Sequence, residues 1–198
     1  MIFRCSGKIA QRLCLSEIIS EDEYELYQYA VFSIMSTIIP LIMVMTIGGI
    51  LGLMKIGIVM IIPFLTIRKF CGGFHAKREW ICILLSVIVV TGCIILTTYC
   101  KADIWLNGGV MGAVLTISMF SPVVSANRDI PKQERMICRK IAVILTVISA
   151  SIYFVLRFWG YNQFAVCIAV GVILTAVLQD LAWIQTKIAL RNQAIIER

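Results

Sequence analysis

The chain alternates long apolar runs with short clusters of charge. Uncharged stretches occupy Leu26–Met54, Ile56–Ile67, Trp80–Cys100, Ile104–Asn127, Ile141–Leu156 and Phe158–Gln179. A hydrocarbon core of roughly 30 Å takes about 20 residues of helix to cross. Most of these stretches reach that length unaided. Ile141–Leu156 nearly does, and its flanking Arg139, Lys140 and Arg157 can snorkel. Ile56–Ile67 is too short alone. It spans only by borrowing from the stretch before it, with a turn near Gly48-Gly49 and Lys55 close to one interface. The pattern predicts an all-α polytopic membrane protein of about six transmembrane helices.

Ahead of the first apolar run the periodicity changes. Ile2, Phe3, Ile9 and Leu13 fall near one helical face, and Arg4, Lys8 and Arg12 along another. That is the pattern of an amphipathic helix lying in a membrane interface. Ser20-Glu21-Asp22-Glu23 reads as a capping box, with Ser20 as N-cap of the helix that becomes the first span. The acidic run Glu17–Glu25 reads as a solvated face. The polar segment Ser121–Lys140 carries Pro122 and Pro131, which argue against one continuous helix through it. With no repeat or low-complexity linker, residues 1–198 form one membrane domain. Residues 1–25 are interfacial, 26–185 transmembrane, and 186–198 a cytoplasmic tail.

Composition agrees. The chain is 60% hydrophobic and 15% charged, with a mean hydropathy of +0.93, against roughly 45–50% apolar and 25% charged in soluble domains. The 18 Lys and Arg residues alternate by loop: three in the N-terminal segment, one at Lys55, four in Arg68–Arg78, one at Lys101, five in Arg128–Lys140, one at Arg157 and three at the C-terminus. The positive-inside rule then places both termini and the two basic loops in the cytoplasm. A four-span chain with two re-entrant hairpins remains open, because Ile56–Ile67 is short. The net charge of +7 is mostly this topology, and its surplus suits acidic membrane lipid or an acidic peptide tail. Nothing points to nucleic acid. No cleavable signal peptide is expected from the mixed first 25 residues. Most of the eight cysteines fall on the reducing side, so free thiols are expected.

Chemistry concentrates in Arg68-Lys69-Phe70-Cys71-Gly72-Gly73-Phe74-His75-Ala76-Lys77-Arg78-Glu79-Trp80-Ile81-Cys82, which holds the one histidine. A thiolate is the reactive form of cysteine, and an imidazole can generate it by taking the proton. Either flanking cysteine is a candidate. Cys71 precedes His75 by four residues and Cys82 follows by seven. On a continuous helix seven residues share a face but stand about 10.5 Å apart along the axis. Pairing with Cys82 therefore requires His75 to fold back, which the breaker Gly72-Gly73 permits. Arg78, four residues before Cys82, is placed to lower its thiol pKa. Two blander readings stand beside catalysis: a snorkelling interfacial histidine with small apolar cysteines, and three metal ligands at a spacing matching no common zinc pattern.

The series Arg68-x-x-x-Gly72-Gly73-x-His75-Ala76 with Cys82 downstream resembles the signature of the accessory gene regulator B (AgrB) family of quorum-sensing peptide processors. Chain length, hydropathy profile, the polar N-terminal segment and the Ser121-Pro122-Val123…Asn127-Arg128 loop are also similar to that family. The resemblance implies a cysteine endopeptidase that cuts a small AgrD-like propeptide on its C-terminal side and cyclises the product to a thiolactone or lactone. Carried over, Cys82 is the nucleophile and His75 its general base, with no metal or cofactor. Arg68, Gly72 and Gly73 match motif positions, and Asn127 is a candidate third member. The resemblance also implies a homodimer. The basic residues Arg135, Arg139 and Lys140, with Lys77-Arg78, are expected to hold an acidic propeptide tail. The competing class is a small-peptide exporter without catalytic activity. Against it stand apolar spans with no interior charge apart from Lys55 and the lack of a nucleotide-binding loop.

Overall fold

A computed structural model describes residues 2–16, 18–20, 23–71, 79–100, 103–123 and 132–196. Every regular element among them is an α-helix: α1 (Ile2–Leu15), α2 (Tyr24–Ile50), α3 (Met54–Cys71), α4 (Glu79–Tyr99), α5 (Ile104–Phe120), α6 (Lys132–Phe158) and α7 (Asn162–Ile196). Two are long and apolar enough to cross a membrane, over Glu134–Phe158 and Asn162–Ile188. Shorter apolar helical segments cover Ile38–Ile50, Leu85–Tyr99 and Ile104–Phe120.

The turns refine the expected boundaries. The first apolar run breaks at Leu51-Gly52-Leu53, a few residues after Gly48-Gly49. Gly52 has φ +68, and the Leu53 and Gly52 amides donate to the Gly48 and Gly49 carbonyls at 2.7 and 3.2 Å. This is a Schellman ending, which needs a left-handed residue just past the cap. Gly48 stays helical and serves another purpose: a Cβ there would stand 3.1 Å from the Met54 Cα, so its bareness lets α3 start tightly against α2. The same ending separates α6 from α7, where Gly160 has φ +83 and the Tyr161 amide donates to the Leu156 carbonyl at 2.9 Å. α3 has 18 residues, about 27 Å of helix. It starts at Met54, the last residue of the run before it, and its end carries Arg68 and Lys69 beyond the apolar stretch.

The amino-terminal cap is rearranged as well. α2 starts at Tyr24 with Glu23 as N-cap. The Ser20 amide and hydroxyl both donate to the Glu23 carboxylate, at 3.2 and 3.0 Å, so half of the expected box forms. α1 lies on α2 through small residues: Ser6 and Ala10 are buried while Ile9 is exposed.

The bundle holds two cores. In one, Ile67 and Cys71 of α3 cluster with Val110, Ala113 and Ile117 of α5, Ala142, Ala150 and Tyr153 of α6, and Ala165, Ile168, Ala169, Val172 and Ala176 of α7. In the other, Val44 of α2, Met60 and Phe64 of α3, and Val90 and Ile94 of α4 meet Val166, Cys167, Val170 and Leu174 of α7. Recurrence every three to four residues in each set gives α7 two apolar stripes, so α3 and α7 form a spine shared by both. Their approach depends on Gly171, where a Cβ would collide with the Met60 carbonyl oxygen and stand 2.9 Å from Pro63 Cγ.

α5 and α6 are fastened at both ends. At one, the Tyr153 hydroxyl donates to Asn107 Oδ1 at 2.6 Å, and Arg157 donates to the same oxygen and to the Asp103 carbonyl at 3.4 Å. Arg157, expected to snorkel, is thereby spent on a helix-to-helix tie. At the other, Arg139 Nη2 donates to the Ser118 carbonyl at 2.8 Å. That carbonyl lies in the last turn of α5, which has no intrahelical partner and carries the negative end of the helix dipole.

Candidate active site

The site residues of the described chain gather at one end of the bundle, where α3 and α5 finish and α4 and α6 begin. Positive charge collects there, from Arg68 and Lys69 at the close of α3 and from Arg135, Arg139 and Lys140 in the opening turns of α6. The Arg68 guanidinium lies 5.2 Å from the Phe64 ring centroid, one turn back on the same face, a cation–π pairing that holds the side chain down along α3. Arg135 is half-buried and Lys140 exposed. Arg139 is engaged with α5, as above.

Cys71 ends α3 and belongs to the α5–α6–α7 core. It is fully buried. The Val123 amide donates to its carbonyl at 3.0 Å, joining the end of α3 to the segment that leaves α5. The residue lies beyond Arg68 and Lys69, outside the apolar stretch Ile56–Ile67. Burial pushes its thiol up to about 11, a polar contact from the Ser121 hydroxyl opposing the rise only in part. Apart from that contact to sulfur, Ser121 Oγ is buried without a hydrogen-bond partner among the described residues. Such a thiol is a poor nucleophile at neutral pH.

Cys82 lies in the first turn of α4, a helix absent from the core that encloses Cys71. The two cysteines flanking His75 in sequence are therefore placed on different helices. Gly72, Gly73, His75, Arg78 and Asn127 lie outside the described residues.

Two polar residues escaped the sequence reading because the last apolar stretch ended at Gln179. Helix α7 continues to Ile196, so the 185/186 boundary falls inside it. The span Asn162–Ile188 includes Asp180 and Lys187, which corrects the view that Lys55 is the one charge within the spans. Gln179 is fully buried with neither carboxamide atom bonded, and Asp180 Oδ1 is likewise buried and unpaired among the described residues. Lys187 Nζ lies 4.1 Å from the centroid of Trp183, whose ring meets Phe120 at 4.8 Å.

The model of the family described as Accessory gene regulator B matches residues 6–179, which takes in α2 to α6 whole, most of α1, the first half of α7 and the whole Arg68–Cys82 stretch. The chain belongs to the accessory gene regulator B family. Two proteins of Clostridium perfringens (strain 13 / Type A) are similar to it. AgrB-like protein 1 is 29% identical over 136 residues, covering 67% of this chain and 70% of the relative. AgrB-like protein 2 is 25% identical over 89 residues, covering 45% and 42%. No solved structure matches. AgrB membership places the chain among quorum-sensing membrane proteins associated with peptide processing and an AgrD-like propeptide, and the apolar helices agree with that setting.

Proposed function

We propose that this AgrB-family protein is a membrane cysteine endopeptidase that cuts an AgrD-like propeptide on its C-terminal side and cyclises the remainder. Cys82 supplies the nucleophile and His75 the base. The observation that carries the reading is the family match across the Arg68-x-x-x-Gly72-Gly73-x-His75-Ala76…Cys82 series. The burial of Cys71 in a separate core supports the choice of Cys82.

His75 takes the Cys82 proton, and the thiolate attacks the scissile carbonyl. The tetrahedral intermediate collapses by breaking the C–N bond, with His75 returning the proton to the departing amine. A Cys82 thioester and a free C-terminal tail result. An internal Cys or Ser of the propeptide then attacks the thioester, releasing the ring and restoring the Cys82 thiol. Thioester and thiolactone are close in energy, so loss of the tail or removal of the product drives the sequence. Lys140 and Arg135, in the opening turns of α6, would hold an acidic tail near this chemistry, with the chain as a homodimer of six-span protomers whose termini are cytoplasmic.

Intact mass spectrometry of the full chain in lipid, incubated with an AgrD-like propeptide, tests the reading: a Cys82-linked thioester is expected. An exporter would give no adduct and no cleavage. Asp180 does not favour that alternative, since it lies beside the Phe120–Trp183 contact at the basic end rather than in mid-span. An impermeant thiol reagent reaching a cysteine placed at residue 129 from outside the cell would overturn the topology.

A further inference from the structure

Helix α7 outlasts the helix beside it. Gly109 packs on Ile173 and Phe120 on Trp183, so α5 and α7 run in the same direction. α5 ends at Phe120, whereas α7 continues past that level to Ile196. Its apolar span closes at Ile188. At the other end of the span Trp159 and Tyr161 are 69% and 56% exposed. From Tyr161 to Trp183 is about 33 Å of helix, close to the roughly 30 Å of a hydrocarbon core. Aromatic residues favour the two membrane interfaces, and this distance sets Trp183 at one of them. Lys187 follows one turn beyond it, about 6 Å along the axis, which is headgroup depth. Arg191 follows a turn later.

A cavity of about 300 Å³ opens on this part of α7, lined by Trp183, Ile184, Lys187, Ile188 and Arg191. Helical spacing gives it two unlike walls. Trp183, Lys187 and Arg191 recur every four residues along one line of the helix. The Lys187 ammonium is seated 4.1 Å from the Trp183 ring centroid, a cation–π contact that holds one charge at the rim. Val177, Leu181, Ile184 and Ile188 recur along the adjacent line, and all four are exposed. They form an apolar strip that leads from the two cations back along the span. Asp180, the one carboxylate of α7, stands two turns below Lys187, about 10.5 Å deeper. Among the described residues the cavity wall therefore carries two positive charges and no negative one.

We propose that this cavity binds one acidic phospholipid, its phosphate between Lys187 and Arg191 and an acyl chain laid along Ile188, Ile184, Leu181 and Val177. The match is chemical at both ends. A planar guanidinium can donate to both free oxygens of a phosphodiester while an ammonium shares one of them. The hydrocarbon strip starts where the cations end, as the chain of a lipid starts below its headgroup. A soluble anion or an acidic peptide tail meets the charges and leaves that strip unused. A zwitterionic lipid brings its own cation and gains less from the pair. The site is independent of the peptidase chemistry proposed above.

Native mass spectrometry tests this on the full chain, released from phosphatidylcholine nanodiscs that contain a minor fraction of phosphatidylglycerol. Wild type is expected to retain one phosphatidylglycerol. Lys187→Gln/Arg191→Gln should lower the affinity for that lipid roughly thirtyfold, the effect of two charges near a membrane surface. Arg191→Gln alone, which leaves the Trp183–Lys187 contact intact, should lower it about fivefold. Lys69→Gln/Lys140→Gln removes as much charge at the same end of the bundle and should leave the retained lipid in place. Wild type retaining none, or the two double variants losing it equally, overturns the proposal, since the attraction is then absent or general. Two competitors identify the occupant. Millimolar glycerol 3-phosphate and an acidic-tailed propeptide should each leave the lipid bound. Displacement by glycerol 3-phosphate makes this a site for a free anion, displacement by the propeptide makes it a peptide site, and either overturns the assignment to lipid.

Discussion

The Val123 main-chain amide and the Cys71 carbonyl are 3.0 Å apart and hydrogen-bonded. One backbone bond thus links the residue preceding the Gly72-Gly73 breaker to the residue preceding the 124–131 segment. Cys71 holds this joint through its main chain, and its side chain is buried beneath. The residue nearer to His75 in sequence is thus packed into the core with α5, α6 and α7.

Cys82→Ala and His75→Ala are expected to abolish propeptide cleavage with normal membrane insertion, because water cannot replace a removed nucleophile at a comparable rate. Cys71→Ser should retain most activity, since its carbonyl still accepts from Val123 and serine fills nearly the same space. The readout is propeptide cleavage by membranes with equal protein levels. A dead Cys71→Ser beside an active Cys82→Ala reverses the assignment.

Cys71 also gives a pH signature. An unfolded cysteine ionises near 9.0 and the buried one near 11, so the unfolded chain loses this proton first as pH rises. The stabilising contribution is whole below pH 9 and drains away toward pH 11. Melting temperature should fall across that window in wild type and fall less steeply in Cys71→Ala. Equal slopes in both proteins would falsify the assignment of this proton to Cys71.

Arg139 and Lys140 are neighbours in sequence with different duties. Arg139→Ala removes a charged donor from the last turn of α5 and should cost about 1–2 kcal/mol of stability, seen as a lower melting temperature. Lys140→Glu should leave melting unchanged and raise the KM for an acidic-tailed propeptide, an effect that weakens with salt. Should both variants behave alike in melting, the Arg139–Ser118 bond carries no weight.

Gly171→Ala places a methyl against the α3 backbone and should destabilise by about 1–3 kcal/mol. Gly92→Ala, in α4 with nothing within 4 Å of the added carbon, should be neutral or stabilising by up to ~1 kcal/mol. Paired melting curves decide the matter: a Gly171→Ala protein as stable as wild type means that α3 and α7 are not in backbone contact.

Much of the fold was legible in the sequence because uncharged runs mark apolar helices directly. Their ends were less so. Gly48-Gly49 looked like the break, yet the chain turns at Gly52, since the left-handed position is set by the cap geometry and Gly48 is needed bare for Met54. The last uncharged run stopped at Gln179 and the transmembrane region was drawn to 185, but charge does not stop a helix and α7 continues to Ile196. The Arg68–Cys82 chemistry could be read as a motif because residue type and spacing carry it. The Cys71–Val123 bond, the Arg139 tie and the buried Gln179 depend on which helices meet, and a linear pattern holds no record of that.

Arg157 and Arg139, at opposite ends of α6, each bind α5, and α5 is thereby splinted along its length. A splinted pair resists splaying, whereas α3 and the segment leaving α5 are joined by one main-chain bond between Cys71 and Val123. Thermal loosening at this end is therefore expected at the Cys71–Val123 joint before the α5–α6 pair parts.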